Sequence, residues 1–371
     1  MTRRAAILCI LAVAAGVLLY FWFGKWNNAR RNATPHATRQ TSGNDAAQPV
    51  ATPATHETQM LDGITTVLAK LRRNAAITAD LAALRSLLFA DPAAGIAAIR
   101  RFLATHEDAA INQALTVGPG GTLTGAPTLR LFLLDILGQL ARLTRSGDAA
   151  TISRQILASR DSPDEWAIAL RNVAWGEPDS RPFLAEKMRE MLGYEPWRAT
   201  PTAGLLQAFD VAVYSGDPRF VTTFAELAQG GEAAMQRAAI VALDRLAETS
   251  TLAVMNYLNA HPNEIASLPL VRADYFAKAD LGNPEQRAAV EHYLSRGDVT
   301  EAEKTKFLHG LASPGTFVSD SLLSTSVRPT DDGSARYAGI AATASAWLQA
   351  NRFPSLHSHI LWLMQRVTLV E

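Results

Sequence analysis

LRSLLFADPAAGIAAIRRFL (Leu84–Leu103) decides the fold class. Leu84, Leu87 and Leu88 fall three and four residues apart, as one apolar helix face requires, and Leu81 extends the same stripe. Asp91-Pro92 stops that pattern and starts another. An aspartate oxygen can accept from the bare N–H groups of a helix's first turn, and proline at the first helical position lacks only an N–H with no partner there. Ile96, Ile99, Phe102 and Leu103 then give the second helix its apolar face. The stretch reads as two helices joined by a tight polar turn.

The same grammar runs in both directions. Upstream, Met60, Leu61, Ile64, Val67, Leu68 and Leu71 keep helical spacing. Downstream, Ser162-Pro163-Asp164-Glu165 forms a capping box ahead of Trp166, Leu170, Val173 and Ala174. Thr200-Pro201, Asp217-Pro218, His261-Pro262 and Asn283-Pro284 read as further helix starts, and Thr300–Glu303 as a second capping box. Alternating strand-type runs joined by hairpin turns are absent from the pattern. The spacing predicts about fifteen helices of roughly 10–18 residues with short connections, an all-α domain.

FDVAVYSGDPRFVTTFAELA (Phe209–Ala228) and YFAKADLGNPEQRAAVEHYL (Tyr275–Leu294) align with Leu84–Leu103 around their proline turns. Each joins an apolar helix end to a second apolar helix. In this the chain resembles degenerate HEAT- or armadillo-type repeats, and the resemblance implies a right-handed α-solenoid of helical hairpins. The spacing between the three is uneven, and a non-repetitive helical bundle remains the alternative. SPDEWAIALRNVAW (Ser162–Trp175), FDVAVYSGDPRF and RADYF (Arg272–Phe276) also resemble an uncharacterised group of bacterial membrane-anchored helical proteins, which implies no activity.

Ahead of the helices lies AAILCILAVAAGVLLYFWF (Ala5–Phe23), nineteen residues without charge or proline. At about 1.5 Å per residue a helix of this length reaches roughly 28 Å, close to the thickness of a bilayer's hydrocarbon core. Arg3 and Arg4 precede it; Lys25, Arg30 and Arg31 follow, and Tyr20–Phe23 with Trp26 suit an interfacial aromatic belt. Residues 1–26 are therefore expected to form a transmembrane anchor with its flanks. Residues 27–58, rich in Thr, Ala, Asn, Gln and Pro, form a tether, and 59–371 the helical repeat domain. A short N-terminal tail favours a single-pass protein of the cell membrane with its C-terminal domain periplasmic or otherwise extracytoplasmic. Secretion after signal-peptide cleavage is the alternative.

The chain carries 35 basic and 35 acidic side chains, and its basic excess lies in the N-terminal flank. The remainder is mildly acidic and offers no footprint for nucleic acid, which takes a basic face. Cys9, inside the apolar run, is the only cysteine, so no disulfide can form within the chain.

Nothing rises to a catalytic signature. Gly118–Gly121 (GPGG) lacks the lysine and the preceding strand of a phosphate cradle and reads as a flexible connection. His357 and His359 sit two apart on a helical pattern, so their rings diverge. Glu165 and Glu303 are explained by their capping boxes. Paired arginines Arg72-Arg73 and Arg100-Arg101 read as solvated helix faces. No catalytic, cofactor or metal-ligating residue is assigned, and no cofactor is expected. The candidate interaction residues are Trp166 and Trp175, in helix seams or lining a groove, and Phe317, Val318, Leu322 and Leu323. Those last four lie in a long connection, Ser313–Ser334, expected to dock on the preceding helices. The expectation is a membrane-anchored scaffold for a protein partner. An all-α enzyme, or a small-ligand or glycan binder near Gln113–Ala126, is the alternative.

Overall fold

The Asp91-Pro92 turn folds as its sequence dictates in the computed structural model, which describes residues 53–312, 321–324 and 334–368. Asp91 Oδ1 accepts the N–H of Ala94 at 3.2 Å and caps α3 (Pro92–Leu103), which follows α1 (Pro53–Leu71) and α2 (Thr78–Ala90). α1 starts inside the 27–58 stretch read as a tether. Fourteen more helices follow among the described residues: α4 (Leu129–Thr144), α5 (Asp148–Ile156), α6 (Pro163–Gly176), α7 (Arg181–Gly193), α8 (Glu195–Ala199), α9 (Ala203–Ser215), α10 (Phe220–Gln229), α11 (Ala233–Thr249), α12 (Thr251–Ala260), α13 (Pro269–Phe276), α14 (Pro284–Ser295), α15 (Glu301–Leu311), α16 (Ser334–Gln349) and α17 (His357–Thr368). Among the described residues the regular structure is all-helical apart from one small hairpin and a single bridge between Ala110 and Thr128. Among the described residues no helix is long and apolar enough to cross a membrane. Ala5–Phe23, Phe317 and Val318 lie outside the described residues.

Ser162, Asn283 and Thr300 each accept a main-chain N–H of the helix they open, as their positions predict. Thr202, not Thr200, caps α9. His261-Pro262 closes a helix and does not open one. The His261 N–H donates to Tyr257 O at 2.9 Å to finish α12, and proline, lacking an N–H, cannot extend it. The next helix waits for Pro269.

Packing follows a simple order. α1, α3, α4, α6, α9, α11, α13, α15 and α17 each lie against the next in that series. α5 packs on α4 and α6, α7 on α6 and α9, α10 on α11, α12 on α11 and α13, and α16 on α17. α14 packs on α12, and its Tyr293 ring stacks on Phe276 of α13 with centroids 3.9 Å apart. In Phe209–Ala228 and Tyr275–Leu294 it is the first helix, α9 or α13, that joins the series. In Leu84–Leu103 it is the second, α3. The aligned hairpins are thus out of phase, a structural reason for their uneven spacing.

The glycine-rich stretch is not a loose connection. Thr116–Val117 (β1) and Leu123–Gly125 (β2) pair antiparallel around Gly118–Thr122. Strands of two and three residues are too short for a period of two to show in sequence, which is why the pattern concealed them.

Tyr275 on α13 and Tyr293 on α14 are buried. Burial pushes both phenols well above their ordinary value; the negative charges of Asp244 and Asp274 add to the effect at Tyr275, and that of Glu303 at Tyr293. The folded chain keeps these protons where the unfolded chain releases them, above about pH 10. The unfolded state then binds fewer protons, so stability is expected to fall as pH rises past about 10. Tyrosinate absorbance from these two groups should appear together with the loss of helical circular dichroism. Their titration in a still-helical protein would contradict it.

Candidate interaction site

Four arginine–carboxylate pairs, three of them buried and Arg130–Glu165 nearly so, tie neighbours in the helix series together. Arg130 on α4 holds Glu165 on α6 through two N–H donors, Nε to Oε1 at 2.9 Å and Nη2 to Oε2 at 3.2 Å. Further along the same helices, Arg171 Nη1 lies 2.6 Å from Asp135 Oδ1. Arg245 on α11 meets Asp210 on α9 at 3.2 Å. Arg272 on α13 grips Glu303 on α15, with Nε to Oε1 at 2.6 Å and Nη2 to Oε2 at 2.9 Å. Burial pushes the Arg171 guanidinium down, and the negative charge of Asp135 opposes that. The hydrogen bond to Glu303 raises Arg272. Glu165 and Glu303 do accept their places in the capping boxes, since their main-chain N–H groups bond Ser162 Oγ and Thr300 Oγ1. Their side chains serve the arginines.

Every one of these arginines also donates to a main-chain carbonyl. Arg130 reaches Leu103 O at 2.9 Å, Arg171 reaches Gly121 O at 2.7 Å, Arg245 reaches Ser324 O at 2.8 Å, and Arg272 reaches Pro262 O at 2.9 Å. A buried guanidinium has five N–H donors to satisfy, and one carboxylate cannot take them all. At two pairs the carboxylate reads main chain as well. Asp135 Oδ1 accepts the N–H of Leu123 at 3.2 Å. Asp210 Oδ2 accepts the N–H groups of Leu323 at 2.6 Å and Ser324 at 3.0 Å, and its Oδ1 accepts the Ser324 hydroxyl. The glycine hairpin is thus fastened to α4 and α6, and Ser321–Ser324 to α9 and α11, by the same two chemical groups.

Leu322 is buried and Leu323 half-buried, so this part of the long connection does dock. It lies against the hairpin: Gly121 has φ +78°, and a Cβ on it would collide with Leu322 O. Gly121→Ala is expected to cost about 1–2 kcal/mol for the left-handed backbone alone. It should also displace Leu322, seen as faster hydrogen exchange at the Leu323 and Ser324 amides. Unchanged exchange there would show that the hairpin and the segment do not depend on one another.

The tryptophans separate. Trp166 is 1% exposed, donates Nε1–H to Ser159 O at 2.5 Å and meets Trp197 edge-on with centroids 5.3 Å apart. It is a seam residue and also walls a cavity of about 290 Å³ with Arg100, His106, Arg130, Asp161 and Glu165. Trp175 is half-buried, with the Arg171 and Arg142 guanidinium carbons 4.0 and 4.4 Å from its ring centroid. It stacks against the polar pair and also walls a cavity of about 310 Å³ with Arg142, Arg145, Asn172 and Pro178. His359 lies near His309, ring centroids 5.7 Å apart, while Arg72 and Arg101 pair with Glu107 and Glu57 at the surface.

The sequence reading passed over Asp135, Arg171, Asp210 and Arg245. The signal was present: Asp135 interrupts LRLFLLDIL (Leu129–Leu137) and Arg171 interrupts AIALRNVA (Ala167–Ala174), each a charge within an apolar run. No family model matches this chain, and neither does any curated protein or solved structure.

Proposed function

We propose that this chain is a membrane-anchored protein-interaction module, held by Ala5–Phe23, whose helices stack as an α-solenoid and carry a protein partner on its surface. The observation that supports this most is the unbroken series α3, α4, α6, α9, α11, α13, α15, α17, each member packed on the next. Stacking of that kind buries one continuous core and leaves long faces for partners. Chemical crosslinking in the protein's own membrane, followed by purification of the full chain, tests the reading. Specific protein neighbours are expected, with the chain kept in the membrane fraction at high salt and high pH. A chain recovered without crosslinked neighbours, or released by high pH, would overturn the corresponding half.

The cavity beside Trp166 favours a second reading. Arg100 and Arg130 line it alongside Asp161 and Glu165, a mixed charged wall suited to a small polar ligand. Both Glu165 oxygens are held by Arg130, which argues for binding over acid–base chemistry there.

A further inference from the structure

We infer that the Asp210–Arg245 pair is a peptide clamp: it binds a short bent segment carrying a leucine with a serine two residues on, and Ser321–Ser324 is its internal occupant. The inference rests on the interaction-module reading and names the partner chemistry of one face of it.

The clamp holds its occupant mostly by main chain. Asp210 takes two consecutive N–H groups, and Arg245 gives an N–H to the carbonyl of Ser324. Serine hydroxyls supply the rest: Ser324 Oγ reaches both Asp210 and Arg245, and Ser321 Oγ accepts from Arg245 at 3.2 Å. Leu322 supplies the buried side chain, 1% exposed. The segment bends at Leu322 and Leu323, and Ser321 Oγ closes the bend on Ser324 O, so the two consecutive N–H groups converge on one carboxylate oxygen while Leu322 anchors the apolar side. The clamp is also built for the purpose, since the Asp210 and Arg245 side chains are 5% and 7% exposed. Its counterpart at Asp135–Arg171 holds the glycine hairpin through the same donor and acceptor, but that hairpin is tied into its own ladder and leads directly into α4. Leu323 lies 113 residues from Asp210 in sequence, and Ser321–Ser324 pairs with no strand among the described residues.

Space for a longer occupant adjoins the clamp. A cavity of about 310 Å³ runs between α9 and α11 from Ser321, walled by Leu206, Phe209, Val213, Arg237 and Val241. Val241, in its wall, is 38% exposed. A bound peptide continuing past the position of Ser321 would cover apolar surface that the internal tetrapeptide leaves open.

The test uses the full chain in mild detergent and a labelled peptide SDSLLSTS, the sequence of residues 319–326. Leu322→Asp removes the internal anchor. An occupied site lowers apparent affinity by its vacant fraction, so this variant is expected to bind the peptide at least about tenfold more tightly than the unaltered chain. Adding Asp210→Asn should abolish the gain, and a peptide with aspartate at its first leucine should not bind. A folded Leu322→Asp chain with no gain would overturn the clamp. Should that variant fail to fold, the unaltered chain decides. Excess peptide is expected to speed hydrogen exchange at the Leu323 and Ser324 amides, and unmoved exchange would overturn the clamp. Loss of the clamp with crosslinked protein neighbours still captured leaves the module reading standing; loss of both removes both.

Discussion

Replacing Asp135 with alanine is expected to destabilise the helical domain by about 3–5 kcal/mol, the usual consequence of stripping one partner from a buried ion pair. Arg171 is wholly buried, and among the described residues Asp135 is the one carboxylate paired with it. The substitution leaves a desolvated guanidinium with Gly121 O and the Asn172 carbonyl oxygen as its acceptors. It also removes the acceptor for the Leu123 N–H and for Gln139. Denaturant unfolding of the full chain in mild detergent, followed by circular dichroism, gives the number. Asp135→Leu combined with Arg171→Met provides the contrast. Replacing both charges by apolar groups should recover the part of the loss that comes from the uncompensated buried charge, while the Leu123 N–H and Gly121 O stay without their partners. A single substitution costing less than about 1 kcal/mol would mean that water reaches Arg171.

Trp166→Ala should cost a comparable amount, about 3–5 kcal/mol, for a different reason. The ring fills the seam where α6 meets Trp197, and it satisfies Ser159 O through its indole N–H. Alanine leaves a void the rigid helix backbones cannot close, so transfer and cavity contributions add. The same unfolding measurement applies. A loss below about 0.5 kcal/mol would mean the ring acts as surface, and would strengthen the small-ligand reading of the adjoining cavity.

Helices were legible wherever a cap and an apolar stripe agreed. Asp91, Ser162, Asn283 and Thr300 all cap, because capping depends on residues within one turn of each other. Proline alone was ambiguous: Pro262 ends a helix and Pro284 begins one, and the difference lies in whether the residue before it can cap. Asn283 does so through its side chain, whereas His261 instead finishes the preceding turn. The docking of Leu322 could be anticipated from its apolarity, but its receptor could not. Asp210 lies more than a hundred residues away, and nothing local in FDVAVYS (Phe209–Ser215) says which distant main chain its carboxylate will meet. The tight hairpin escaped for a similar reason, since it is held by Arg171 and Asp135 more than by strand pattern.

The two pairs joining α4 to α6 have opposite polarity. Arg130 faces Glu165 near both amino-terminal ends, and Asp135 faces Arg171 further along, so the helices run the same way. Turning α6 end for end would set Arg130 against Arg171 and Asp135 against Glu165, two like-charge contacts in the interior. Sliding it by one turn, about 5.4 Å, would carry both arginines away from the carboxylates that they hold. Alanine- and leucine-rich faces fit one another almost indifferently, and the seventeen helices among the described residues have many wrong ways to collapse. This crossed charge pattern is an orientation key: it makes the reversed and the slipped assemblies costly while the chain is still choosing among them.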